Sequence, residues 1–314
     1  MSELITHTAI YEDCVRLALI SPRVCRAFKT TLERHADIAS MGCLTRGGDK
    51  FPVQLLDYCR ERWENRREGD FVEEKLAFTL GWRCHNAADR HFKPIYRKVQ
   101  PEYYKNEVGA DADEKNASDA RIYHDLIVYR EVYDSGRRTG FSPYILQDSL
   151  SGHPAAASVA AVPVEAALGA VVQRSLLGLQ SFAAKETNRD AWLKRFDQRR
   201  QDYYIDIHRY ARGLEAPPPD WLRRFILENN FYDRRDPLIR LARALHQGAS
   251  NPDIGLDQAV DQAARQSQYA QALRKAYLYI TACSEFFERK IGEAELRPRL
   301  DLGTPHVIPG GKKL

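Results

Sequence analysis

Within "LGWRCHNAADRHFKP", residues 80 to 94, a histidine is followed four positions later by an aspartate and then by a second histidine. On a helix, positions i and i+4 sit one above the other, so His85 and Asp89 project from one face together with Phe78, Gly81 and Trp82. That face is otherwise apolar. An imidazole and a carboxylate turned into a protected place need hydrogen-bond partners or a cation, because burying them unpaired is costly. Two chemistries answer this need: a helical hydrogen-bonded pair, which the HxxxD spacing produces often by chance, or two ligands of a metal ion.

The metal reading requires further ligands from elsewhere in the chain. His7 shares a helical stripe with Tyr11, Cys14 and Ala18, an inward-looking position for a polar ring. Asp49 follows two glycines in "CLTRGGDKFP", where the backbone can bring a carboxylate close to another element; a loop aspartate is otherwise most often a turn residue or cap. His124 lies on "DARIYHDLIVYREVY" with Ile127, Val128 and Glu131 on its side. Borderline divalent ions such as zinc take imidazole and carboxylate ligands, and a catalytic site keeps one position open for water. Residues of this kind on separate helices converge in the cores of helical bundles.

The elements that must position these side chains are helical. Apolar residues recur with helical spacing almost throughout, with no convincing set of short strands, which predicts an all-α, multi-helix fold. Helices are expected over roughly 5–19, 22–38, 51–67, 71–92, 117–134, 164–183, 188–212, 219–229, 235–246, 256–264 and 267–291, with Ser21 as N-cap and Pro22 in the first turn of the second. The stretch "NEVGADADEKNAS" reads as a loop, and "SGRRTGFSPYILQDSLSGHPAAAS" as a hinge or inter-lobe connection. This organises the chain into a metal-site region (1–135), a connecting loop (136–163), C-terminal helices completing the same domain or a second lobe (164–292), and an extended tail (293–314).

Composition excludes several function classes. Forty-four per cent hydrophobic residues over 314 positions suffice for a core, and 47 basic against 43 acidic residues leave a balance of +4, too small for a nucleic-acid-binding stripe. The start, "MSELITHTAIYEDC", lacks the basic-then-apolar pattern of a secretory signal, and no run of eighteen apolar residues exists. The six cysteines form no CxxC pair and fall largely within apolar stripes, so reduced, buried thiols in a cytoplasmic protein are expected.

The order of these pieces resembles the zinc-dependent phospholipase C family, an all-α fold related to the single-strand-specific zinc nucleases. "THTAIYEDCVRLAL" looks like its first core helix with a ligand histidine, and "GGDKFP" like its ligand aspartate loop. "LAFTLGWRCHNAADRHFKP" resembles its HxxxD helix with the preceding LG and following proline. "DARIYHDLIVYREVYD" looks like the next helix, and "ALRKAYLYITACSEFF" is similar to the closing one. The resemblance covers roughly 5–135 and 267–290. Carried over by position, it implies His7, Asp49, His85 and Asp89 as metal ligands, with Asp49 as general base or bridging ligand. On the later helix the histidine position falls on Ala120 and the glutamate position on His124, a ligand type. Tyr96 stands where the family has a histidine, with His91 nearby as a substitute. The resemblance therefore implies one or two zinc or other divalent ions and the hydrolysis of phosphate esters, with lipid headgroups or nucleotides as suitable substrates. In such chemistry the metal lowers the pKa of a water and offsets charge on a phosphoryl oxygen.

Two other readings stand beside it. Adjacent His124 and Asp125 are the pair used by HD-type phosphohydrolases, although neighbours on a helix diverge by about 100°. A non-catalytic helical protein with a degenerate metal site accommodates Ala120 and Tyr96. The arginine pairs in "WLRRFILENNFYDRRDPLIRLARAL" could hold an anionic headgroup or nucleotide, whereas alternating charge on a helix is ordinarily a solvated face. Trp82, Phe92, Tyr96, Tyr103, Tyr104 and Tyr123 could wall a substrate cleft, although core packing is the default for aromatic rings.

Overall fold

The computed structural model describes residues 4–44, 51–67, 69–99, 124, 127–128, 131–132, 228–249 and 253–302. Among the described residues there are nine full helices and no strand, so the fold is all-α as the periodicity predicts. The helices are α1 (Leu4–Ile20), α2 (Arg26–Arg34), α3 (Ala36–Leu44), α4 (Phe51–Arg62), α5 (Val72–Val99), α6 (Pro237–His246), α7 (Leu256–Ala263), α8 (Gln268–Phe287) and α9 (Glu293–Arg299).

The longest of them, α5, is central, and α1, α2, α3, α4 and α8 pack around it. Its residues Leu76, Ala77, Phe78, Leu80, Ala87, Ala88 and Phe92 are fully buried. Apolar side chains on several sides of a helix are what a surrounded position requires. The second core helix, α8, starts at Ser267, whose hydroxyl accepts from the backbone N–H of Ala270 and so satisfies one of the free donors of the first turn.

Two glycines set how closely α3 approaches α5. A Cβ on Gly42 would lie 2.1 Å from the carbonyl oxygen of Phe78, and one on Gly81 would lie 1.7 Å from that of Ala39. The two helices therefore touch backbone to backbone, which no larger residue at either position permits. This contact brings the end of α3 against the His85 turn of α5.

Several boundaries differ from those predicted. The single helix expected over 22–38 is two, because His35 leaves the helical region (φ −124, ψ 42). There its backbone N–H still bonds to Thr31 while its carbonyl accepts from Ala39, and its ring meets Glu73 at 3.3 Å. Ser21 is not the N-cap of α2: its hydroxyl accepts from the Arg23 N–H and lies 2.7 Å from the Tyr277 hydroxyl. The helix starts after Cys25, whose N–H donates to Ser284 Oγ on α8 at 2.8 Å. A partner 259 residues away thus supplies what a local cap was expected to give.

Helix α4 stops at Arg62 rather than near 67, and α5 runs through Pro94 to Val99 rather than stopping near 92. Phe92 and the partly buried Ile95 keep those last turns against the core. Nor is the chain simply extended from Glu293: α9 forms there and buries Leu296 and Leu300 completely. The helices expected over 164–183 and 188–212, and the connecting loop over 136–163, lie outside the described residues. Of 117–134, His124, Ile127, Val128 and Glu131 are helical, and of 219–229 the last two positions are described.

All six cysteines are buried and free. Burial pushes the thiols of Cys59 and Cys283 up to about 12, which keeps them protonated and unreactive. No described helix is long and apolar enough to cross a membrane.

Candidate metal centre

Three side chains from two helices converge where α1 crosses α5. His7 comes from the second turn of α1, and His85 and Asp89 lie one turn apart on α5. One ligand atom from each lies within 4.8 Å of the others, and all three residues are buried. The two imidazoles stack with ring centroids 4.2 Å apart and planes inclined by 19°. From this position His7 Nε2 lies 3.4 Å from Asp89 Oδ1, and His85 Nε2 lies 3.3 Å from Asp89 Oδ2.

The orientation of His85 is set from α3. Its Nδ1 lies 2.9 Å from the carbonyl oxygen of Cys43. A carbonyl only accepts, so Nδ1 carries the proton, and in the neutral ring the Nε2 lone pair faces Asp89. Cys43 is the next-to-last residue of α3, where carbonyls have no partner within the helix, so the bond also satisfies a helix end. The same residue holds α1: its thiol, kept protonated by burial, donates to the His7 carbonyl oxygen at 3.1 Å. A histidine whose second nitrogen donates to a backbone carbonyl is the usual outer arrangement of a metal ligand.

Burial, and then the adjacent His7, push the His85 pKa below its ordinary value, which favours the neutral ring. For Asp89, burial pushes upward, but the charge interaction with His85 and hydrogen bonding from both histidines outweigh it and hold the carboxyl well below the usual range. In the neutral ring His85 Nε2 turns a lone pair toward the Asp89 carboxylate at 3.3 Å, a contact completed either by a second proton on the ring, which makes it an ion pair, or by a metal cation.

Charge-assisted N–H···O bonds are normally about 2.7–2.9 Å long, shorter than either contact here. A tetrahedral ion with bonds of about 2.0–2.1 Å separates its ligand atoms by about 3.3–3.4 Å, the spacing of His85 Nε2 from Asp89 Oδ2, while His7 Nε2 meets the other carboxylate oxygen at 3.4 Å. Two imidazoles and a carboxylate are also the donor types of catalytic zinc sites and of two-histidine, one-carboxylate iron sites. The buried His7, His85 and Asp89 group could hold a metal ion. Lys93, one turn beyond Asp89, places its ammonium 3.2 Å from Asp89 Oδ2 and is a cation already at hand.

The remaining candidates are placed differently. His91 is not part of the group: two positions beyond Asp89, it is rotated by about 200° around α5. It meets Gln268 Oε1 on α8 at 2.9 Å, and burial lowers its pKa to about 4. His124 is completely buried with its ring centroid 6.1 Å from that of Phe231, and it does not join the donor group found among the described residues. Asp49, Ala120 and Asp125 lie outside those residues, and Tyr96 falls in the last turns of α5. Trp82 and Phe92 are core residues rather than exposed walls of a cleft.

Sequence reasoning missed Cys43 and Lys93. The i+4 spacing of Lys93 from Asp89 is a readable signal. Cys43 has none, because its carbonyl and its thiol act only through the crossing of α3 with α5 and α1. Comparison of the chain with protein-family models, with curated proteins and with solved structures finds no match.

Proposed function

We propose that this chain is a metal-dependent hydrolase of phosphate esters, with His7, His85 and Asp89 holding a divalent ion, zinc by their donor types. The observation that carries the metal reading is the contact of His85 Nε2 with Asp89 Oδ2, held at 3.3 Å by the Cys43 carbonyl behind the ring. The reaction class rests on the resemblance of these segments to the zinc-dependent phospholipase C family. A bound divalent ion would activate water as the nucleophile and offset charge on a phosphoryl oxygen.

In this reading the protein supplies orientation. His85 is fixed by Cys43, His7 by its stacking on His85 and the bond to its backbone, and Asp89 by the turn of α5 it shares with His85. Asp49, six positions beyond Cys43 in the sequence, is assigned as a further ligand or as the base. Lys93, with about a third of its side chain exposed, would present an ammonium to the anionic substrate on the solvent side of Asp89.

A second reading, a non-catalytic metal site, is favoured by the burial of the three donors, since closed sites are typically structural. Two measurements separate the readings: metal content of the purified protein by mass spectrometry, and turnover of p-nitrophenyl phosphate and bis-p-nitrophenyl phosphate. The hydrolase predicts near-stoichiometric metal, turnover of at least one ester, and loss of both in His85→Ala and Asp89→Ala. Stoichiometric metal without turnover leaves the structural site, and metal content unchanged by both substitutions removes the centre itself.

A further inference from the structure

Away from the His7, His85 and Asp89 group, a concave feature lies on α6. A cavity of about 570 Å³ is lined by Arg234, Arg235, Arg240 and Arg243, with Gln247 and Asp253 on its wall. Among the described lining residues, four arginines thus stand beside one carboxylate. We propose that this cavity binds a terminal, multiply charged phosphate group, carried by a small molecule or a lipid headgroup.

The pairing of the arginines separates them into two kinds. Arg234 lies against Glu131, and Arg235 forms a two-pronged pair with Asp233 at 2.7–3.2 Å, so both are partly neutralised before any ligand arrives. Arg240 and Arg243 have no carboxylate within ion-pair distance among the described residues. Three positions apart on α6, they share one helix face and both line the cavity, Arg243 also lying beside the buried Tyr232 hydroxyl. An arginine that serves only as a solvated surface has no need of a concave wall or of a second unneutralised guanidinium beside it.

Chemistry and size then narrow the ligand. Guanidinium forks match phosphate oxygens two at a time, and a pair of them selects for an anion with more than one charged oxygen. A volume of about 570 Å³ falls within the usual range for small-molecule sites, about 300–1,000 Å³, and exceeds what a bare ion would fill. Neither α6 nor the Asp253 segment contributes a donor to the His7, His85 and Asp89 group, so the proposal stands whether or not that centre carries metal.

The test is calorimetric titration of the full chain with pyrophosphate in the presence of a chelator, which keeps the metal centre from contributing. It is run beside co-sedimentation with phosphatidylcholine vesicles with and without phosphatidic acid. Arg240→Ala/Arg243→Ala should weaken binding roughly tenfold for each guanidinium removed, and Arg240→Lys/Arg243→Lys should retain part of the affinity. Pyrophosphate binding that follows this order supports a soluble ligand. Binding confined to the phosphatidic acid vesicles, with the same order, supports a lipid headgroup. The proposal is overturned if neither probe binds, or if binding is indifferent to both double substitutions.

Discussion

The Nδ1–H of His85 donates to the carbonyl oxygen of Cys43 across 2.9 Å, joining α5 to the end of α3. This one bond decides which nitrogen of His85 faces Asp89, and through the Cys43 thiol the same residue also reaches the backbone of His7. The centre is thus positioned by a residue that offers it no ligand atom. The consequences extend to the glycines that let α3 come so near.

Gly81→Ala should be among the most damaging single-methyl substitutions in the chain. The added Cβ would stand 1.7 Å from the Ala39 carbonyl oxygen, and backbone cannot rotate aside as a side chain can. Separating the helices should cost about 3 kcal/mol and withdraw Cys43 from His85. Urea denaturation and metal uptake should both report the change. Native stability in this variant would mean that α3 and α5 are not in backbone contact.

Lys93→Met should move stability and metal affinity in opposite directions. Without metal, the ammonium is a cation beside Asp89, and its removal should destabilise the protein by about 1 kcal/mol, reduced by the partial exposure of the lysine. With metal, the ammonium competes for the same oxygen, so its removal should tighten binding roughly three- to tenfold. Thermal melts with and without chelator, together with a competitive metal titration, read the two effects. A loss of both stability and affinity would instead make Lys93 a support of the centre.

The half-buried His91 makes stability depend on pH over a defined window. Its pKa falls from 6.5 to about 4 on folding, chiefly because burial disfavours the charged ring. Above pH 6.5 neither state holds the proton and the contribution is nil. Between 6.5 and 4 the unfolded chain binds a proton that the folded one does not, so stability falls as pH falls, by about 3 kcal/mol in total. Asp89 acts in a lower range, since a carboxyl depressed on folding loses its contribution only below about pH 4. His91→Gln should therefore flatten the stability profile between pH 6.5 and 4 relative to wild type. An unchanged slope in denaturation series at several pH values would contradict the burial assigned to this ring.

Leu296→Ala tests the C-terminal helix. As part of an extended tail the residue would tolerate the change. Completely buried on α9, it should cost about 2–4 kcal/mol, because a cavity is left where the side chain packed. The helix is also tied to the core by Arg90, which donates to the Leu300 carbonyl oxygen and to the Tyr279 hydroxyl, so Arg90→Ala should loosen the same segment. Limited proteolysis near residue 300 would show both effects.

What the sequence determined by itself is whatever depends on near neighbours. Helical spacing of apolar residues is a local property, and it was enough for the all-α class. The facing of His85 and Asp89 is equally local, since four residues make one turn. The tertiary structure decided everything that needed two elements to meet. His7 joins the pair only because α1 crosses α5 at that turn, and Cys43 reaches both histidines only because Gly42 and Gly81 allow backbone contact. His91, close in sequence, is carried away by the rotation of the same helix that unites the other two. The start of α2 follows the same rule: Ser21 has the composition of a cap, yet the hydroxyl that serves Cys25 comes from Ser284, because a hydrogen bond depends on distance in space and not on distance along the chain.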